Sequence, residues 1–253
     1  MHHGKRFLVG MLLSLFVVGA LFAQGTSISG FGGIGMPMSP AFLKDNYKSG
    51  LAFGANLRYN LNERTALSIG YQNQTLKSDF GDDFLMTIAG DEIDLEDLED
   101  LEDLGFSLDD LNMELSGLDA KANIITANLV HYLTPPSTGS GLYVTGGAGL
   151  YMMKVTDPEI KISFMGISQS ETVELDIETK NKMGINAGLG FEMLFGGNMF
   201  LFVEGKYHYI FTDAMDLMGI DEVEDEEMLD ALGIDDSKLS FISIVGGLRI
   251  PLN

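Results

Sequence analysis

Apolar and polar residues alternate along most of this chain with a period of two. The cleanest stretch is residues 51–61, where Leu51, Phe53, Ala55, Leu57, Tyr59 and Leu61 share one face and Ala52, Gly54, Asn56, Arg58 and Asn60 the other. Such alternation predicts a strand with one apolar face. Residues 183–193 repeat it, with Met183, Ile185, Ala187, Leu189, Phe191 and Met193 opposite Gly184, Asn186, Gly188, Gly190 and Glu192. In residues 199–212 the apolar set is Met199, Leu201, Val203, Gly205, Tyr207, Tyr209 and Phe211, and the other face carries Glu204, Lys206 and His208. Within 142–153, Leu142, Val144, Ala148, Leu150 and Met152 oppose Tyr143, Thr145, Gly147, Gly149 and Tyr151. Fainter versions lie at 26–36, 65–76, 121–133 and 239–251. In 121–133, Ile124 and Ile125 compete for one face. Eight segments of about ten residues have the length a tilted strand needs to cross a bilayer.

The connections alternate in length. Asn62-Glu63-Arg64, the stretch from Pro135 to Gly141 and Gly196-Gly197-Asn198 are short and rich in turn formers. Long connections fall near 37–48, 78–120, 155–181 and 213–238. Short turns at one end and long loops at the other is the arrangement of bacterial outer-membrane barrels. The predicted fold is therefore all-β: an eight-stranded antiparallel up-and-down transmembrane β-barrel with long acidic extracellular loops. An even strand number returns both termini to the short-turn end, which would be periplasmic.

Charge supports the same arrangement. The 253 residues carry 37 acids against 15 Lys and Arg, a net −22. Residues 91–119 hold 13 acids and no base, 213–236 hold 11 and no base, and 157–178 hold six. With Asp79, Asp82 and Asp83, that places 33 of the 37 carboxylates in three long connections, leaving only Glu192 and Glu204 inside strands. A net charge of this sign argues against nucleic acid, which needs a basic face. The lack of Cys removes disulfides, thiolate metal sites and Cys nucleophiles.

The start of the chain reads as an address. Lys5 and Arg6 precede an apolar run from Phe7 to Phe22 that ends at Ala23. This is the build of a secretory signal peptide over 1–23, with 24–253 as the barrel. The alternative is an uncleaved anchor, for which the run is short.

Candidate chemistry follows from parity. Arg58, Glu192, Glu204, Lys206 and Arg249 all fall on the inward face, as do Asn56, Gln72, Gln74, Asn186 and His208. Eight strands enclose only enough room for side chains. Unpaired charges there are costly, so the acids are expected to pair with the bases. That cluster would be an internal plug that fixes the barrel, or a gate that opens a narrow water path by re-pairing. Which acid meets which base is decided by register, which periodicity does not set.

The acidic connections offer a second set. From residue 91 to 104 the sequence is DEIDLEDLEDLEDL, with leucines every three residues continuing to Leu108, Leu111, Leu115 and Leu118. An amphipathic helix is predicted there, and another over residues 222–232. Clustered carboxylates are hard oxygen ligands, which makes Asp91, Asp94, Asp97, Asp100, Asp225 and Glu226 candidates for a divalent cation. No calcium-loop motif accompanies them, and the bland reading is a solvated loop. An extracellular partner or cation-bridged lipopolysaccharide could dock on the same stripe. No Gly-x-Ser-x-Gly, His-Glu-x-x-His or phosphate-cradling loop is present, so catalysis is not expected. No cofactor is expected either.

The strand LYVTGGAGL (residues 142–150), the strand FLFVEGKYHY (200–209) and the closing VGGLRIPL (245–252) resemble the outer-membrane β-barrel family that includes the OmpA transmembrane domain, OmpX and OmpW. The resemblance covers about residues 26–253 and rests on pattern. It implies a small monomeric barrel in the outer membrane of a diderm bacterium, in contact with membrane lipid and lipopolysaccharide. Arg58, Glu192, Glu204, Lys206 and Arg249 would form its salt-bridge core. It implies a structural or surface-interaction role; the alternative is a narrow passive channel, porin-like, for cations or small apolar solutes. The chain departs from the family in ending Leu252-Asn253 instead of in an aromatic residue, and in its unusually acidic loops.

Overall fold

A computed structural model describes residues 25–79, 111–116, 119–156, 159–164, 167–172, 179–212 and 238–252. Its strands are β1 (Thr26–Ser39), β2 (Tyr47–Lys48), β3 (Gly50–Asn60), β4 (Thr65–Ser78), β5 (Leu111–Ser116), β6 (Ala120–Tyr132), β7 (Ser140–Val155), β8 (Glu159–Phe164), β9 (Ile167–Thr172), β10 (Lys180–Phe195), β11 (Met199–Ile210) and β12 (Ser240–Leu252). One short helix, α1, spans Ala41–Asn46. Strands β1, β3, β4, β6, β7, β10, β11 and β12 pair each with the next, all antiparallel, and β12 pairs back on β1. The sheet is a closed eight-stranded barrel.

Closure has a definite stagger. Directly opposed partners lead from Thr26 through Tyr59, Leu67, Leu129, Gly146, Ala187, Tyr207 and Ile242 to Met36, so one circuit climbs ten residues of β1. With ordinary strand spacing, that stagger tilts the strands by about 40° and leaves an interior that side chains fill. Parity then sorts the sequence. Leu51, Phe53, Leu67, Ile69, Ile125, Leu129, Ile185, Leu189, Phe191 and Val203 are exposed on the outside, while Gln72, Gln74, Asn128, Asn186 and His208 are buried inside. An apolar exterior around a polar interior is the pattern for a barrel whose surroundings are lipid. Ile124 takes the inward place and Ile125 the outward one, which resolves the competition in β6.

Local chemistry shapes the short turns. Asn62 Oδ1 accepts hydrogen bonds from the backbone N–H of Arg64 (2.9 Å) and Thr65 (2.8 Å), closing the β3–β4 turn. Gly196 and Gly197, at φ 54° and 79°, make the β10–β11 turn in a region other residues rarely adopt.

The long-connection end departs from expectation in three places. Most barrel strands run one to three residues beyond their predicted limits at that end, as β1 does to Ser39. The 37–48 connection contains α1, whose Phe42 and Leu43 join Tyr47, Leu76, Ala120, Met153, Ile210, Leu239 and Phe241 in an apolar plug across that mouth. Finally, residues 111–116 form a strand where a helix was predicted through Leu118. There Leu111, Met113 and Leu115 alternate with Asn112, Glu114 and Ser116, and this local period of two fits the ladder offered by β8. Ser116 pairs with Glu159 and Ala120 with Val155 on one continuous register, so β5–β8 prolongs the β6–β7 hairpin, and β9 adds a third strand to it. The predicted signal segment 1–23, the rest of the predicted acidic helix and the one predicted over residues 222–232 lie outside the described residues.

Candidate functional site

The register brings the five inward charges into two groups. Near the short-turn end, Glu192 of β10 is fully buried between Arg58 of β3 and Arg249 of β12. Arg249 Nε donates to Glu192 Oε2 at 3.1 Å, and its Nη2 donates to Oε1 of the same carboxylate, so the pair is bidentate. Arg58 Nη1 lies 3.3 Å from Glu192 Oε2 and donates to the Tyr132 hydroxyl at 2.5 Å. That hydroxyl in turn donates to Glu192 Oε1 at 3.0 Å. The result is a carboxylate held by two guanidiniums and a phenol.

Aromatic rings complete this plate. The Arg58 guanidinium carbon is 5.0 Å from the Tyr143 ring centre, and that of Arg249 is 4.1 Å from the Phe200 ring. Tyr132 and Tyr143 meet edge to face at 5.5 Å. Tyr143 fits because its neighbour is Gly190, where a Cβ would stand 2.1 Å from the Tyr143 ring. One carboxylate between two cations leaves the plate with a single positive charge, desolvated and therefore held by geometry more than by charge balance.

A second group lies one level further in. Lys206 Nζ is 2.8 Å from Glu204 Oε1, and both side chains are almost wholly buried. Around them Thr126, Asn128, Thr145 and Asn186 are buried. Among the described residues, Asn128 Oδ1 and Asn186 Oδ1 have no hydrogen-bond partner. Above this layer His208 stacks on Phe241 at 4.4 Å and shares hydrogen bonds with Tyr151 (3.0 Å) and Ser243 (3.1 Å).

Parity alone located Arg58, Glu192, Glu204, Lys206 and Arg249. It also put Tyr143, Tyr151 and His208 on the inward face. Tyr132, Phe200, Phe241 and Ser243 belong to the same networks; the signal for the three rings was the inward parity of aromatics in an otherwise polar set, and for Ser243 its inward parity alone. Of the cation candidates, Asp91, Asp94, Asp97, Asp100, Asp225 and Glu226 lie outside the described residues, and among the described residues no cluster of three metal-ligating side chains occurs.

No family model matches the chain, and no curated protein matches it. Solved structures do. A crystal structure of Neisserial surface protein A is 11% identical over 90% of this chain and 97% of that one, with a TM-score of 0.41. A major outer membrane protein from Thermus thermophilus is 8% identical over 89% and 99%, at 0.45. The outer membrane protein OprG from Pseudomonas aeruginosa is 10% identical over 89% and 96%, at 0.42. The chain is a small eight-stranded β-barrel of the outer-membrane type. Within that class its fold is similar to that of small OmpA- and OmpX-like barrels.

Proposed function

We propose that this protein is a monomeric structural and surface-interaction barrel of a diderm outer membrane. Its termini face the periplasm, and its long acidic connections face outward. The observation that carries this reading is the plate of Glu192, Arg58 and Arg249, which crosses the interior with its carboxylate at zero exposure. The apolar plug beneath α1 closes the other mouth. A barrel sealed twice is a scaffold that presents loops. Those loops, with Asp91, Asp94, Asp97, Asp100, Asp225 and Glu226 among their acids, are a surface for divalent cations or a cationic partner.

Two measurements test this reading. Refolded protein with verified insertion should be silent in planar bilayers. Because the chain has no Cys, a single Cys at Ser137 and another at Lys48 can be labelled on intact cells with an impermeant maleimide. Labelling at position 48 alone supports the orientation, and labelling at position 137 alone overturns it. A second reading, a narrow cation-preferring path, is favoured by the unpartnered Asn128 and Asn186 oxygens, which suit internal water. Discrete conductance steps would move the conclusion to it.

A further inference from the structure

Charge on the outward face of the barrel strands is confined to one place among the described residues. Among the described residues, Lys77, Lys121 and Lys154 are the only charged side chains on the outward face of the eight barrel strands. They stand on three consecutive strands, β4, β6 and β7, and all at the long-connection end. Lys121 and Lys154 are direct cross-strand partners, Lys77 lies diagonally beside Lys121, and Lys48 of β2 is the direct partner of Lys77. The four ammonium groups thus form a row across β2, β4, β6 and β7, about 14 Å wide at ordinary strand spacing. All four are exposed.

Placing like charges directly opposite one another in a ladder destabilises it. The row is only half relieved. Lys48 Nζ is 2.5 Å from Asp79 Oδ1, and Lys77 Nζ is 2.6 Å from Asp119 Oδ2. Lys121 and Lys154 make no ion pair among the described residues. In a chain of net charge −22, an unrelieved lysine pair at this spot is the feature to explain.

The surface below the row is polar as well. Asn123 Oδ1 accepts hydrogen bonds from Tyr71 (2.6 Å) and Asn73 (3.0 Å), both on the outward face of β4, and Thr75 sits between them and the lysines. At similar depth on β1, β3 and β10 the outward residues are Ile34, Leu51, Phe53 and Ile185. The apolar band is therefore notched beneath the lysines, at a depth where β1, β3 and β10 present apolar residues.

We infer that the Lys77–Lys121–Lys154 row and the Asn73–Asn123 notch bind a phosphorylated glycolipid of the leaflet that meets the long-connection rim. Ammonium groups at the edge of an apolar band meet lipid phosphates, and each is worth a substantial electrostatic attraction there. The width of the row exceeds what one phosphate needs, and the amides and hydroxyls below it suit a sugar backbone better than a glycerol. The inference rests on the proposed orientation for the leaflet, and on the lysines and the notch below them for the chemistry.

The test uses the mature full-length barrel in detergent micelles. Native mass spectrometry would read occupancy by bisphosphorylated lipid A, by its dephosphorylated form and by phosphatidylglycerol. Wild type should retain lipid A and release the dephosphorylated form. The Lys121→Gln/Lys154→Gln variant should lose about thirtyfold in lipid A affinity. Lys44→Gln, on the exposed face of α1, should behave as wild type, and Lys121→Arg/Lys154→Arg should keep binding. Equal occupancy by phosphorylated and dephosphorylated glycolipid overturns the site, as does an unchanged glutamine variant. Phosphatidylglycerol bound as tightly as lipid A overturns the glycolipid assignment. Micelle binding does not depend on orientation, so a failed cell-labelling test with intact lipid A binding would remove the outer-leaflet reading and leave the phosphate site standing.

Discussion

The Glu192 carboxylate decides more than any other single group. It accepts from Arg249 through two atoms, from Arg58 and from the Tyr132 hydroxyl, at zero exposure. Removing one partner of a buried ion pair strands the other charge in a medium that cannot solvate it. Glu192→Gln strands two guanidiniums, and equilibrium urea unfolding in lipid vesicles should show a loss of about 3–5 kcal/mol. Glu204→Gln strands only Lys206, so its loss should be smaller. Equal losses would mean that the plate is not the stronger of the two groups. Replacing all of Arg58, Glu192 and Arg249 with apolar residues should cost less than Glu192→Gln alone, because no charge is left without a partner.

At the scale of strands, inward and outward glycines do different work. A Cβ on Gly190 would lie 2.1 Å from Tyr143, whereas a Cβ on outward Gly30 would meet nothing within 4 Å. Gly190→Ala should therefore destabilise by about 1–3 kcal/mol through overpacking. Gly30→Ala should be neutral or stabilise by about 0.5–1 kcal/mol, by narrowing the unfolded ensemble. Urea midpoints of the two variants check this, and a shift of the same sign in both would refute it. The alternation of Leu51 with Ala52, or of Met183 with Gly184, reports the same two faces, which is why strand number, order and inward set were legible in the sequence. Pairing was not, since Glu192 lies 134 residues from Arg58 and only the stagger brings them together. The strand at Leu111–Ser116 was hidden because leucines spaced by three nearby mimic a helical stripe, while the partner that favours the strand, Glu159–Phe164, pairs with it across 43 (159 − 116) to 53 (164 − 111) residues of chain. The lysine row was equally unreadable, because Lys77, Lys121 and Lys154 become neighbours only through the ladders of β4, β6 and β7.

For the molecule as a whole, the balance between scaffold and channel turns on what fills a bore this narrow. Ten residues of stagger over eight strands leave room for side chains and little else. Gln72, Asn128, Thr126 and Asn186 make the middle layer polar, so the proposed seals are the arginine plate and the apolar plug at α1. Taking out the plate by Arg58→Ala/Glu192→Ala/Arg249→Ala together with Phe42→Ala should open a water path without leaving a buried charge unpaired. In planar bilayers this variant should conduct in discrete steps where wild type is silent. Its reversal potential in a potassium chloride gradient should favour potassium, since carboxylates dominate the connections at one mouth and raise the local cation concentration. Screening shortens the reach of that field to about 3 Å at 1 M salt, so the preference should fall as salt rises. An anion preference would mean that selectivity is set inside the bore by Lys206, and a potassium preference unchanged by salt that it is set there by Glu204, in neither case by the acidic connections.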